Sequence, residues 1–169
     1  MKKLLPIILM LWPYMVVVLG KVENEKLSSL LTGAYILLTI VVYVANIVNA
    51  FQCKDPRSLA IFNAVIKIAH IPFFLAIFVL GIGFLFASVV PAMILVTPFL
   101  MVILFIVDVL LMLTSSMYGI NAIRRAYSAG QISGTFAIVN GILHFFFVAD
   151  TISAIIVLCK VKKVPSYKW

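Results

Sequence analysis

The sequence predicts an all-α protein, a transmembrane bundle of five helices forming a single domain. Three observations carry this expectation. The 169 residues are 65% hydrophobic, with a mean hydropathy of +1.25. Five apolar stretches approach or exceed the roughly 20 residues that carry a helix across about 30 Å of hydrocarbon. The connections between them are only a few residues long, which leaves no room for a soluble domain or a long linker. No repeat of 20 to 50 residues and no low-complexity tract breaks the pattern.

The first stretch runs from Leu4 to Gly20. Met1, Lys2 and Lys3 followed by apolar residues also open a secretory signal, but Val18, Leu19 and Gly20 make a poor cleavage site and Pro13 interrupts the run. It is therefore expected to remain as a first helix, and cleavage would leave four. The second helix covers Leu27 to Gln52. The third covers Arg57 to Ala87 and starts firmly, since Asp55 can accept from first-turn amides and Pro56 suits the first helical position. Ser88 to Pro91 reads as an uncharged turn into a fourth helix, Pro91 to Ala126, which Gly130 stops. The fifth helix is expected from Ser133, as its cap, to Lys160. Pro13, Pro72 and Pro98 lie inside helices and free the carbonyls of Leu9, Ile68 and Ile94.

The formal charge of +8 comes from 13 Lys and Arg against 5 acidic residues. In a soluble chain this would suggest nucleic acid, but here the basic residues sit at helix ends, and no basic stripe with interleaved aromatics lies on a water-exposed element. The expected partner is the lipid bilayer, with no nucleic acid and with a membrane-protein partner or a homo-oligomer in view. Trp12, Tyr14, Tyr127, Tyr167 and Trp169 read as interfacial aromatics. Five crossings put six basic residues on each side: Lys2, Lys3, Lys54, Arg57, Arg124 and Arg125 against Lys21, Lys26, Lys160, Lys162, Lys163 and Lys168. The first helix tips this tie towards a cytoplasmic N-terminus. The same scheme puts Cys53 and Cys159 on opposite faces, about 30 Å apart, as unpaired thiols.

Small residues allow close helix packing in lipid. Ser115, Gly119, Ala122 and Ala126 form such a stripe on the fourth helix, and Ser133, Ala137 and Gly141 form one on the fifth. The two are expected to pack together.

Polar residues recur at helical spacing inside the spans. Thr32, Tyr35, Thr39, Asn46, Asn49 and Cys53 share a face of the second helix, and Asn63, Lys67, His70 and Phe74 share one on the third. Asp108 lies on the side of Ser115 and Gly119, while Asn140, His144 and Thr151 share a side of the fifth helix, with Asp150 about a third of a turn away. These groups are expected to face inward, because a polar group facing lipid costs several kcal/mol. Counted by rise per residue, Lys67, His70, Ser115 and His144 fall roughly 13 to 20 Å from the Lys54/Arg125 side, and Asp108 and Asp150 near 25 Å. That makes a funnel ending at two carboxylates, with Lys67 paired to a carboxylate such as Asp108.

Lys67, His70, Asp108, His144 and Asp150, with Asn46, Asn49, Asn63 and Asn140, are therefore the expected lining of a cavity for protons or a small polar ligand. Lys67 would hold an anion, and the histidines would carry protons. The competing expectation is a purely cohesive polar core. His70, His144, Asp108 and Asp150 match the ligand chemistry of a divalent ion but have no metal-site spacing, so no metal or cofactor is expected. HExxH, GxSxG, phosphate-loop and CxxC motifs are absent, and no enzyme activity is expected; lipid chemistry would need water at Asp108 or Asp150.

The stretches Lys67 to Phe74 (KIAHIPFF), Thr114 to Tyr127 (TSSMYGINAIRRAY) and Asp150 to Ala154 (DTISA) resemble a family of small multi-pass bacterial membrane proteins of unknown function. The resemblance implies a bacterial inner-membrane location and no chemistry. The functional expectation is thus a transport-related subunit, which with so few helices would need an oligomer or partner. The alternative is a non-transporting accessory or immunity-type membrane protein.

Overall fold

A computed structural model of the chain describes residues 3–144 and 146–162. The regular elements among these residues are all helices, with no strand among them. The elements are α1 (Leu4–Leu11), a 3₁₀ turn (Trp12–Tyr14), α2 (Met15–Leu19), α3 (Glu25–Gln52), α4 (Pro56–Ala87), α5 (Thr97–Ser128), α6 (Gly134–Leu143) and α7 (Phe147–Lys160). Helices α3, α4 and α5 are long and apolar enough to cross a membrane, whereas Leu4–Leu19 and Gly134–Leu143 are shorter apolar helices. Of the interfacial aromatics, Tyr167 and Trp169 lie outside the described residues, as do Lys2, Lys163 and Lys168.

Helix ends follow the local chemistry. The Asp55 carboxylate accepts from the amides of Arg57 at 3.3 Å and Ser58 at 3.1 Å, Ser133 Oγ accepts from Phe136 N at 3.3 Å, and Gly130 takes φ +68° after α5. Asn24 caps α3 through Leu27 N and moves its start two residues ahead of the expected one.

The prolines behave differently from one another. Pro72 lies inside α4 as expected. Pro98 does not kink a helix: residues 91–96 are turns, α5 begins at Thr97, and Pro98 sits in the first turn, where no amide donor is required. Pro13 converts the middle of the first stretch to 3₁₀, and the carbonyl of Leu9 accepts from His70 Nε2 at 3.1 Å. His70 thus fills the vacancy that Pro13 leaves four residues upstream. The kink also turns two aromatics inward: Trp12 Nε1 donates to Thr39 Oγ1 at 2.8 Å, and the Tyr14 hydroxyl donates to the Ala69 carbonyl. Trp12 and Tyr14 therefore make interhelical contacts.

The expected fifth crossing is replaced by a helical hairpin. The chain leaves helical geometry at Phe146 (φ −117°, ψ 121°). At about 1.5 Å per residue, α6 and α7 rise about 15 and 21 Å, each short of the bilayer. Four bonds fix the return. Arg57 at the start of α4 donates to the carbonyls of Leu158 and Val161 at the end of α7, the latter at 3.0 Å. Lys162 N donates to Gln131 Oε1 in the α5–α6 loop at 3.0 Å, and Ser153 Oγ on α7 donates to Asn140 Oδ1 on α6 at 2.9 Å. Helix α6 runs antiparallel to α5, and α7 comes back antiparallel to α4. Cys53 and Cys159 therefore lie at the same end of the bundle, not at opposite faces; both are free thiols, Cys53 buried and Cys159 exposed.

The hairpin also changes how the small residues pack. Ser115, Gly119, Ala122 and Ala126 are buried as expected, but of the second stripe only Ala137 packs against the core cluster that holds Ala122 and Ala126: Ser133 is exposed, and a Cβ on Gly141 would meet nothing within 4 Å. A Cβ on Gly119 would instead overlap the His144 ring and come within 2.6 Å of Asn63 Nδ2.

Candidate functional site

Lys67 stands eleven residues into α4, about 16 Å from its start, and is 1% exposed. An ammonium there needs its three donors satisfied, and the fold supplies partners for all three. It forms an ion pair with Asp150 Oδ2 and donates to Ser116 Oγ at 3.0 Å and Ser115 Oγ at 3.3 Å. Asp150 reaches Lys67 because the hairpin brings α7 back along α4, which corrects the expected depth near 25 Å. It sits in the first turn of α7, where the helix dipole favours a carboxylate. Ser116 joins both sides of the break, 3.4 Å from each Asp150 oxygen and donating to the His144 carbonyl at 3.2 Å.

His144 closes the cluster from the end of α6. Its Nδ1 lies 3.2 Å from Asp150 Oδ1, an ion-pair distance without hydrogen-bond alignment, and its Nε2 lies 3.5 Å from Asn63 Nδ2. With the Asn63 amide as donor, Nε2 accepts and the proton resides on Nδ1, facing the carboxylate. The ring fits only because position 119 lacks a Cβ.

The other expected lining residues do not join this centre. Asn46 and Asn49 bond the Tyr118 hydroxyl at 2.8 and 3.2 Å and, with Asn121 on the Ala50 carbonyl, tie α3 to α5. Asn140 binds Ser153 within the hairpin. His70 serves Leu9. Asp108 departs furthest from expectation: it is part-exposed, its Oδ1 is buried without a hydrogen-bond partner, and it lies two helical turns, about 10 Å, along α5 from Ser115. The carboxylate paired with Lys67 is Asp150, not Asp108. Among the described residues, no three His, Cys, Asp or Glu side chains gather as a metal site.

Sequence spacing missed Ser116, Tyr118, Ser153 and the role of Arg57. The first was visible as the third hydroxyl of Thr114–Ser116, an unusual run in an apolar helix. Tyr118 lies three residues from both Ser115 and Asn121, on the seam between them.

A family model described as a family of unknown function (DUF6652) matches residues 3–163. This chain belongs to that family. The match spans every residue of the cluster, so the Lys67–Asp150 pair lies within the DUF6652 region rather than in an appended segment. No curated protein and no solved structure matches the chain.

Proposed function

We propose that this DUF6652 chain is a multi-pass protein of the bacterial cytoplasmic membrane, a transport-related subunit in which Lys67, Asp150 and His144 bind protons or a small polar ligand. The observation that carries this reading is a buried lysine–carboxylate pair at the meeting of two half-helices. Broken helices inside membranes place their ends at ion and substrate sites. An anion would compete with Asp150 for the Lys67 ammonium, and the displaced carboxylate would accept a hydrogen bond from the His144 Nδ1–H that faces it. Vesicles holding the purified protein, given a pH difference across their membrane, are expected to pass protons faster than empty ones, as read by an entrapped dye. The double variant Lys67→Met/Asp150→Leu is expected to return flux to the empty-vesicle rate. Wild-type flux no faster than empty vesicles would overturn the proposal.

The hairpin also bears on orientation. Lys3, Lys54, Arg57, Arg124, Arg125, Lys160 and Lys162 gather at one end of the described residues, against Lys21 and Lys26 at the other, which also carries Glu23 and Glu25. Seven against two supports a cytoplasmic basic end by the positive-inside rule. Cys159 is then expected to react with a membrane-impermeant maleimide only after cells are permeabilised. Labelling of Cys159 in intact cells would reverse the orientation.

A second reading, an accessory membrane protein with a cohesive core, draws support from the complete satisfaction of the Lys67 donors. It predicts a stoichiometric membrane partner on native purification and no proton flux.

A further inference from the structure

On the side of α5 away from Ser116, the 3₁₀ turn and helices α2 to α5 line an open-sided cavity of about 340 Å³, within the range of small-molecule sites, about 300 to 1,000 Å³. It is distinct from the Lys67 centre and independent of the reading given to that centre. Phe73, Val107 and Leu110 supply apolar wall from α4 and α5, and Tyr35, Thr39 and Tyr43 line it from α3.

Two of these hydroxyls are committed. Tyr35 donates to the Trp12 carbonyl at 3.2 Å, and Thr39 donates to the Tyr35 carbonyl at 2.7 Å while accepting from Trp12 Nε1. The Tyr43 hydroxyl has no hydrogen-bond partner among the described residues, so the cavity presents one spare donor in apolar surroundings. No charged side chain lines it. A phenol without an acceptor in such surroundings is unfavourable, and an acceptor on a ligand removes that cost. Tyr43 lies nine residues before the end of α3, about 13 Å along the helix, in reach of both lipid tails and lipid-soluble molecules.

We propose that this cavity binds an apolar ring or chain bearing an uncharged carbonyl that accepts a hydrogen bond from Tyr43. The carbonyl can belong to the acyl ester of a bilayer phospholipid or to a free quinone-like compound.

Trp12 reports on the site, since its ring stacks on Tyr35 with centroids 5.3 Å apart; Trp169→Phe leaves it as the sole tryptophan, because the chain has two. Two probes are used on this background in detergent micelles and in vesicles: decylubiquinone, and phosphatidylcholine brominated near its ester. Saturable quenching of Trp12 by decylubiquinone, weakened about 3- to 10-fold by Tyr43→Phe and abolished by Val107→Phe, assigns a free carbonyl compound. Quenching by the brominated lipid that both variants relieve assigns a phospholipid. Both variants are checked for unchanged helicity and monodispersity. Absence of quenching by either probe, indifference of quenching to Val107→Phe, or sensitivity to Val107→Phe without any effect of Tyr43→Phe would each overturn the proposal.

Discussion

Asp150→Ala is expected to cost about 3 to 5 kcal/mol, because it strands the Lys67 ammonium in the bundle with only two serine hydroxyls as partners. Most of that cost is the unpaired charge rather than lost attraction. Two charges removed together leave an apolar space that apolar side chains can fill, and such exchanges are often neutral or stabilising. Lys67→Met/Asp150→Leu is therefore expected to recover stability to within about 1 to 2 kcal/mol of wild type. Unfolding in mixed micelles of rising sodium dodecyl sulfate content, followed by circular dichroism, measures both. A double variant as unstable as Asp150→Ala would mean that the pair holds the bundle through its geometry rather than through charge balance. The same double variant underlies the flux experiment, where a folded but inactive protein separates a functional pair from a cohesive one.

Gly119→Ala, a single added methyl, is expected to destabilise the bundle by about 1 to 3 kcal/mol or more, the range for overpacked cores. The new Cβ falls on the His144 ring, and Asn63 blocks the remaining space. Relief must come from moving His144 off Asp150, so the damage passes to the charge centre. His144→Ala combined with Gly119→Ala is expected to be less damaging than the sum of the two single changes, with a coupling of about 1 kcal/mol or more. Gly141→Ala, into open space on α6, is the control, and helix propensity makes it neutral or stabilising by up to about 1 kcal/mol. Equal cost at positions 119 and 141 would refute the ring-on-glycine contact.

The membrane character of the chain was legible because burying apolar length is a local property: α3, α4 and α5 announce themselves by hydropathy alone. So were the caps at Asp55, Ser133 and Gly130, where a side chain or a positive φ acts within a few residues. The inward direction of Lys67, His144 and Asp150 followed from the cost of polar groups in lipid. The hairpin was hidden. No proline or glycine stands between His144 and Phe146, and Ser133 to Lys160 has the length of a full crossing. What holds the reversal is distant in sequence: Ser116 on the His144 carbonyl, Arg57 on α7, and Lys67 on Asp150. A pattern read along one helix cannot register bonds made from two others. Asp108 was misassigned for the same reason, since a shared helical face fixes direction but not which carboxylate arrives. His70 was half legible: the vacancy at the Leu9 carbonyl was expected from Pro13, but the side chain that fills it was not.

Because α6 and α7 turn back partway, a molecule seated in a bilayer as proposed above would not displace the same area in the two lipid leaflets. The leaflet at the Arg57 end would accommodate α1, α6 and α7 beside the three long helices, while the opposite one would accommodate only α2 beside them. With helices about 10 Å across, that is an excess on the order of 160 Å² per molecule on one side. The shape is a wedge, and a wedge sits with least strain where the membrane bulges towards its broad end. Molecules gathered in a patch would bend the sheet in that sense.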